Sequence, residues 1–292
     1  AKQGYNAIDS NQFYQMDYQA NFMAWNQIMA APDGVRRRMA LALSEFFVAS
    51  ISGVSTISWS QFAMGHYWDI LCNNAFGNYR QLLEEVTLSI AMGEFLNTLG
   101  NQKEDAATGR LPDENYSREV MQLFTIGLQQ LNIDGSLVKV NGAPVETFTQ
   151  SDVSNLARVF TGYQTDDTEG WFESVVPPTY RVRNVGYTRR PMVLNANRHS
   201  MLEARFLGAV VPAGTEGKAA LKIALDTLFQ HPNVGPFFSR QMIQRLVCSN
   251  PSPAYVRRVA TVFNNNGKGV RGDLGAVWKA ILTDIEATQD AG

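Results

Sequence analysis

Apolar residues recur at helical spacing along most of this chain. Between residues 13 and 29, Tyr14, Tyr18, Phe22 and Trp25 follow one another three or four positions apart. That spacing places side chains on one face of a helix, where they can pack against a core. The same pattern predicts helices over residues 35–50, 59–72, 79–88, 91–99, 218–229, 236–248, 253–263 and 274–285. We therefore predict a predominantly α, multi-helix globular fold.

Two stretches depart from this pattern. Turn signals at residues 132–136 and at Asn141-Gly142 flank residues 137–140, which predicts a small β-hairpin near residues 137–148. Residues 163–198 lack a helical period and are rich in Pro, Gly, Tyr and Arg, and within them residues 179–185 alternate like a strand. We predict an irregular or β segment there. A stretch of this length inside a compact domain is more often functional, or a small sheet, than a mere linker.

The chain is long enough for one large helical domain over residues 1–292, which is the organisation we predict. The irregular segment also allows a subdivision into a helical part over 1–162, an insert over 163–198 and a second helical part over 199–292.

Composition excludes several classes of protein. The formal net charge is −2, whereas a nucleic-acid binder usually carries a strongly basic face. The most apolar stretch, residues 39–57, is interrupted by Ser44, Glu45, Ser50 and Ser52, so no membrane span is predicted. Charged residues make up 18% of the chain, below the roughly 25% typical of soluble proteins, so the surface must rely on amide and hydroxyl side chains.

The two cysteines, Cys72 and Cys248, are far apart in sequence. Free thiols and a single disulfide are both compatible with that spacing.

Residues 112–119 concentrate three acids, an amide, a phenol and an arginine at the start of a predicted helix. If Asp113 caps that helix, Glu114 lies beside Arg118 and Asn115 lies beside Glu119, because residues four apart share a face. Glu119 then stands at the edge of the apolar stripe. A carboxylate there is either paired with an arginine or has a raised pKa, as a general acid requires. The block is therefore a structural clamp or part of a catalytic site.

Three further residues are candidates for the same site. Thr149 and Asp152 match a capping box that opens a helix over residues 153–160. Arg158 on that helix is expected to pair with an acid, and Glu114 or Glu119 would complete a buried network. His199 follows the irregular segment and is a candidate acid or base. The candidate catalytic set is thus Glu119, Glu114, His199, Arg118, Asp152 and Arg158.

The chain shows no signature of a metal or cofactor site. The three histidines match no tight metal-ligand spacing, and a Gly-rich phosphate loop and a Gly-x-Ser-x-Gly elbow are absent from the sequence. No metal is therefore predicted, and the identity of any cofactor stays open. Trp171, Phe172, Tyr180 and Tyr187 fall in the irregular segment and could line a cleft for a carbohydrate or another polymer.

Several motifs together resemble a bacterial family known as domain of unknown function 1800. The polar block with residues 120–135 resembles its first motif, residues 148–162 its second, and residues 191–199 with 205–208 its third. Residues 237–253 and 266–281 are similar to its C-terminal part. The resemblance implies a predominantly helical fold and export across the bacterial inner membrane, hence a periplasmic or extracellular location. It also implies that the chain is the middle portion of a longer protein.

The chain departs from the family pattern at three places. Histidines common near Ser44 to Phe46 are missing, a His-Pro pair is replaced by Ser89-Ile90, and a common lysine is replaced by Ala204. These departures weaken any mechanism that needs that lysine or a histidine-bound metal, whereas the six candidate residues are intact.

Two functions remain compatible with these observations. The first is an acid/base hydrolase or lyase acting on an extracellular polymer, with Glu119 or Glu114 and His199 as acid and base. The alternative is a non-catalytic secreted protein that binds or assembles extracellular material, a polymer or another secreted protein. In that protein the Glu/Arg block is a structural clamp and the amide-rich surface makes the contacts.

Overall fold

The computed structural model describes residues 18–172 and 183–289. Within these residues the chain forms twelve α-helices and three two-stranded antiparallel sheets, which confirms the predominantly α prediction. The first seven helices are α1 (Tyr18–Ala30), α2 (Gly34–Ser44), α3 (Ser60–Asn73), α4 (Tyr79–Leu88), α5 (Ile90–Phe95), α6 (Asn115–Gln122) and α7 (Gln150–Val159). The others are α8 (Gly217–Gln230), α9 (Val234–Leu246), α10 (Pro253–Asn264), α11 (Leu274–Leu282) and α12 (Ile285–Thr288).

Three helices are shorter than their patterns predicted. α2 ends at Ser44, and Phe46 and Phe47 enter the core from the turn that follows it. α5 ends at Phe95, and Asn97 then adopts a positive φ of 64°, which no helix can continue. The predicted helix over 274–285 is two helices, because Asp284 accepts a hydrogen bond from the N–H of Glu286 and caps α12. Apolar periodicity alone does not mark these breaks.

The β-hairpin near residues 137–148 is confirmed. Strand β1 (Lys139–Val140) pairs with β2 (Ala143–Pro144), and the two strands are joined by Asn141 and Gly142. Both turn residues have positive φ, at 51° and 84°, which matches the right-handed twist of a two-residue hairpin.

Residues 163–198 have the irregular character that was predicted, as far as they are described. Strand β3 (Tyr163–Gln164) pairs with β4 (Val193–Leu194), and short 3₁₀ turns cover Val185–Arg189 and Ala196–Arg198. Most of the strand predicted over 179–185 lies outside the described residues.

A second hairpin lies beyond this segment and was not predicted. Strand β5 (Ala204–Phe206) pairs with β6 (Ala209–Val211). Leu207 and Gly208 form its turn, both with positive φ.

Aromatic side chains dominate the core. Phe47 lies 5.4 Å from Phe124 and 5.9 Å from Tyr79, and Tyr79 lies 5.0 Å from Phe238, between ring centroids. The hydroxyl of Tyr79 donates to the backbone carbonyl of Phe124. These contacts tie the chain after α6 to α4 and α9, so the polar block at the start of α6 is held at a defined place beside the core.

Two further predictions can be compared with the structure. Cys72 and Cys248 are both free thiols, so the disulfide alternative is wrong. In the described part of the chain, no helix is both long enough and apolar enough to be a membrane span.

Candidate functional site

The polar block forms the start of α6. Oδ1 of Asp113 accepts a hydrogen bond from the N–H of Asn115 at 2.8 Å, so Asp113 satisfies one of the helix's free amides, as predicted. Glu114 occupies the N-cap position itself but uses no side-chain atom for capping. Its carboxylate is therefore available for contacts with a neighbouring helix.

Glu114 joins α6 to α7. Its carboxylate accepts hydrogen bonds from Gln150 Nε2 at 2.7 Å and from the Ser154 hydroxyl at 2.5 Å, and it forms an ion pair with Arg118 at 3.2 Å. Arg118 also donates to Gln150 Oε1 at 3.1 Å. The predicted Glu114–Arg118 pair is thus present, and it belongs to a four-residue cluster that bridges two helices.

Glu119 follows Arg118 on α6 but does not belong to this cluster. Its side chain is half-buried, and within the described chain it makes no hydrogen bond or ion pair. Burial raises the pKa of Glu119, and the nearby charge of Arg118 only partly opposes that effect. Of the two possibilities that the sequence left open, an arginine partner or a raised pKa, the structure has the raised pKa.

Asp152 serves the capping box that was predicted. Its Oδ2 accepts from the N–H of Thr149 at 2.7 Å, and the Thr149 hydroxyl accepts from the N–H of Asp152 at 3.3 Å. Its Oδ1 accepts from the N–H of Leu207 at 2.8 Å. Burial opposes ionisation, but the hydrogen bonds from Leu207 and Thr149 outweigh it and lower the pKa of Asp152. All of these contacts are made to the protein's own backbone and to its cap residue.

Among the described residues Arg158 forms no ion pair with an acid, contrary to the prediction. Its guanidinium donates to Oδ1 of Asn155 at 2.9 Å and to the backbone carbonyl of Glu203 at 2.7 Å. The β5–β6 hairpin packs on α7 and brings this carbonyl within reach, which the sequence could not show because the hairpin itself was not predicted. Arg158 also makes no hydrogen bond or ion pair with Glu114 or Glu119.

His199 is 2% exposed. Its Nδ1 lies 2.9 Å from the backbone carbonyl of Thr161, and because a carbonyl only accepts, Nδ1 carries the proton in that bond. His199 and Arg158 line a void of about 10 Å³, roughly the space of one water molecule. The neighbouring Ser200 donates to Glu104 at 2.9 Å. His199 thus lies near Arg158, but it makes no polar contact with Glu119.

A groove lies between α9 and the segment that follows α6. It has a volume of about 530 Å³, and its lining includes Phe237 and Arg240 on α9. The rest of the lining consists mainly of glutamines and leucines: Gln122, Gln129, Gln241, Gln244, Leu123, Leu128, Leu131 and Leu137. Glu119 is three and four positions before Gln122 and Leu123, so it shares a face of α6 with these two lining residues.

Gly127 fixes one wall of the groove. It has a φ of 68°, and a Cβ there would lie 2.8 Å from the ring of Phe237. A residue with a side chain would therefore strain the backbone and displace Phe237.

A second cavity, which we call the α4–α8 cleft, has a volume of about 590 Å³. Its apolar lining comprises Leu88, Tyr163, Met192, Leu194 and Leu221, and charged residues from α4 and from the start of α8 surround it. Sequence reasoning missed this cleft. Its charged residues are far apart in the sequence, and only the pairing of β3 with β4 brings Tyr163 and Leu194 together between the two helices.

Three of the four aromatic residues of the irregular segment lie in the described part of the chain. Trp171 and Phe172 are exposed and pack edge to face, with ring centroids 6.5 Å apart. The guanidinium of Arg183 lies 4.2 Å from the Trp171 ring and 3.8 Å from the buried Tyr187 ring. Tyr180 is outside the described residues.

Among the residues that the structure describes, no three His, Cys, Asp or Glu side chains converge as ligands of a metal ion would.

Comparison with known proteins places the chain in a family. No curated protein and no solved structure matches it significantly. The family model described as "Protein of unknown function (DUF1800)" matches residues 6–292, which is nearly the whole chain. The protein therefore belongs to the DUF1800 family.

Proposed function

We propose that this chain is a secreted, non-catalytic binding protein that holds an extracellular polymer in the groove between α6 and α9. The observation that carries the proposal is the lining of this groove. It combines amide side chains with leucines and has one arginine, Arg240, that makes no ion pair with any described residue.

The groove's chemistry favours a polymer with both hydroxyl and carboxylate groups. The side-chain amides of Gln122 and Gln129 make no hydrogen bonds within the described chain, so they are available to donate and accept. Leucine side chains can pack against the apolar face of a sugar ring. Arg240 can bind a carboxylate through two parallel hydrogen bonds. An acidic polysaccharide offers all three features along its length.

The polar block fits a structural role in this protein. Glu114 and Arg118 form hydrogen bonds that bridge α6 and α7, and Asp152 holds the β5–β6 turn. Each of these contacts positions one element of the fold against another. The groove, in contrast, presents polar groups that the protein itself does not use.

A periplasmic or extracellular location is part of the proposal. Two observations support it: the resemblance of the motifs to an exported family, and a surface with few charges. Charged residues are 18% of the chain, so amide and hydroxyl groups dominate the surface, as suits contact with a carbohydrate matrix.

Affinity electrophoresis tests the proposal. The chain should be retarded in gels that contain polygalacturonate, an acidic polysaccharide, and not in gels that contain neutral dextran. R240Q should lose most of the retardation, whereas R205Q, which removes an exposed arginine on β5 outside the groove, should retain it. Equal retardation of R240Q and R205Q would contradict the proposal, and so would the absence of wild-type retardation with every acidic polysaccharide. Binding to another secreted protein alone would favour an assembly role.

Glu119 supports a second candidate function, that of an acid/base hydrolase or lyase acting on the same polymer. Its carboxyl group makes no hydrogen bond or ion pair with a described residue, burial raises its pKa, and it precedes the groove residue Gln122 by about one turn of α6. A general acid needs these properties. The assay is the release of reducing or unsaturated ends from polygalacturonate. Release that E119Q abolishes, with the fold intact, would establish catalysis. Binding without any release would favour the non-catalytic function.

A further inference from the structure

The α4–α8 cleft is lined by a tyrosine hydroxyl that no described protein group hydrogen-bonds. Tyr163 is 5% exposed and lines the cleft, yet its hydroxyl makes no hydrogen bond with the described residues. This hydroxyl is therefore available to donate a hydrogen bond to a ligand in the cleft and to accept one from it. The volume of about 590 Å³ is in the range of small-molecule sites, roughly 300–1,000 Å³.

Two carboxylates flank this hydroxyl. Glu84 comes from α4, and Glu216 comes from the N-terminus of α8, on the other wall of the cleft. Burial raises the pKa of Tyr163, and the charges of Glu216 and Glu84 raise it further. Both carboxylates are therefore close to the phenol, which remains protonated and can both donate and accept hydrogen bonds.

Basic groups line the same cleft. Arg80 donates to Glu84 and to Asp226, each at 2.7 Å, and Lys222 forms an ion pair with Asp226 at 2.5 Å. Lys218, in the first turn of α8, is exposed and makes no ion pair with any described residue. The acids Glu84, Glu216 and Asp226 thus balance the bases Arg80, Lys218 and Lys222. A ligand of zero net charge with both signs present matches this arrangement better than a simple cation or anion.

We propose that the α4–α8 cleft binds a zwitterion of amino-acid or dipeptide size with an aliphatic side chain. The ligand's ammonium group lies between Glu84 and Glu216 and donates to the Tyr163 oxygen. Its carboxylate faces Lys218 and Lys222 at the mouth of the cleft.

The aliphatic side chain packs against the apolar residues of the cleft, among them Leu88, Met192 and Leu194. This site is separate from the groove beside α6, so its existence does not depend on polymer binding.

Calorimetric titration of the intact chain tests this site. Leucine and leucyl-leucine are the zwitterionic probes, and the tighter of the two assigns the site to free amino acids or to dipeptides. N-acetyl-leucine lacks the ammonium group and leucine amide lacks the carboxylate, so both should bind at least about tenfold more weakly, as expected when one charged hydrogen bond is lost.

Y163F removes only the unsatisfied hydroxyl and should weaken zwitterion binding about tenfold. Y187F is the matched control, because its hydroxyl donates to the Ser58 carbonyl and Tyr187 does not line the cleft. It should bind like the wild type. If Y163F fails to fold, E216Q at the exposed N-cap of α8 takes its place, with the same expected loss. Failure of both zwitterions to bind would overturn the proposal. So would binding of leucine amide or N-acetyl-leucine as tight as that of leucine, or unchanged zwitterion binding by the folded variant.

Discussion

Asp152 accepts a hydrogen bond from the backbone N–H of Leu207 at 2.8 Å, across 55 residues of sequence. Leu207 is the first turn residue of the β5–β6 hairpin and has a φ of 50°, which is unfavourable for a residue with a branched side chain. The carboxylate that opens α7 therefore also holds this turn. One acid thus joins two motifs of the family, the capping box and the Arg205-to-Gly208 turn.

Replacing Asp152 with Asn should destabilise the fold by about 1–2 kcal/mol at neutral pH, because a cap and a charged hydrogen bond are weakened. The pKa of Asp152 is lowered in the folded state, so its contribution is present above the ordinary value of 3.8 and is lost as the pH falls through the folded value. Urea unfolding of the wild type and D152N, at neutral pH and in acid, measures this contribution to the free energy of unfolding.

The wild type and D152N should converge in stability below pH 3.8. A difference that is constant with pH would show that Asp152 does not act through its charge.

The Glu114–Ser154 contact should be measurable by a double-mutant cycle. E114A and S154A should each lower the free energy of unfolding by at least about 0.5–1 kcal/mol. The double variant should lose less than the sum, since each change removes the same hydrogen bond. Additive losses would show that the clamp between α6 and α7 does not couple the two residues. S151A, on the solvent side of α7, serves as the control for loss of a serine hydroxyl from this helix.

E119Q should leave the stability at neutral pH unchanged or raise it. Burial raises the pKa of Glu119, so ionisation of this side chain destabilises the folded state once the pH exceeds the ordinary pKa of 4.5. The stability of the wild type relative to E119Q should therefore fall as the pH rises from 4.5 through the folded pKa, and then level off. Chemical unfolding across this range provides the measurement, and a wild type that gains stability relative to E119Q with rising pH would contradict a raised pKa.

Gly162 should be intolerant of any side chain. Its φ is 85°, and a Cβ would lie 2.8 Å from the carbonyl oxygen of Asn195 and 2.9 Å from the backbone nitrogen of His199. G162A should lower the free energy of unfolding by more than about 4 kcal/mol or prevent folding, because neither backbone atom can move aside without disturbing the fold.

Gly142 provides the matched control for this steric effect, since its φ is 84° and the space around it is open. G142A should lower the free energy of unfolding by only about 1–2 kcal/mol, which is the strain of the left-handed conformation alone. Thermal unfolding of the two variants compares them directly, and equal losses would mean that the close approach at Gly162 does not matter.

Local sequence patterns were enough to predict the features that depend on neighbouring residues. The helical class, the Asn141-Gly142 hairpin, the Thr149–Asp152 capping box and the Glu114–Arg118 pair all follow from residues within four positions of one another. Such features need only the period of a helix or the geometry of a turn. The family could likewise be identified from the sequence, because its motifs are short and contiguous.

Tertiary structure decided the environments of the candidate residues. Within the described chain, Glu119 is unpaired because Arg118 bonds to Glu114 and Gln150 instead. Arg158 bonds to the Glu203 carbonyl that the β5–β6 hairpin brings near it, and it forms no ion pair with a described acid. His199 is buried because the chain turns at Gly162 and returns against it. The α4–α8 cleft combines residues more than 130 positions apart, such as Glu84 and Glu216, and no local pattern encodes that distance. Burial, and with it pKa and access to solvent, depends on the packing of distant segments, which is why only the fold could decide it.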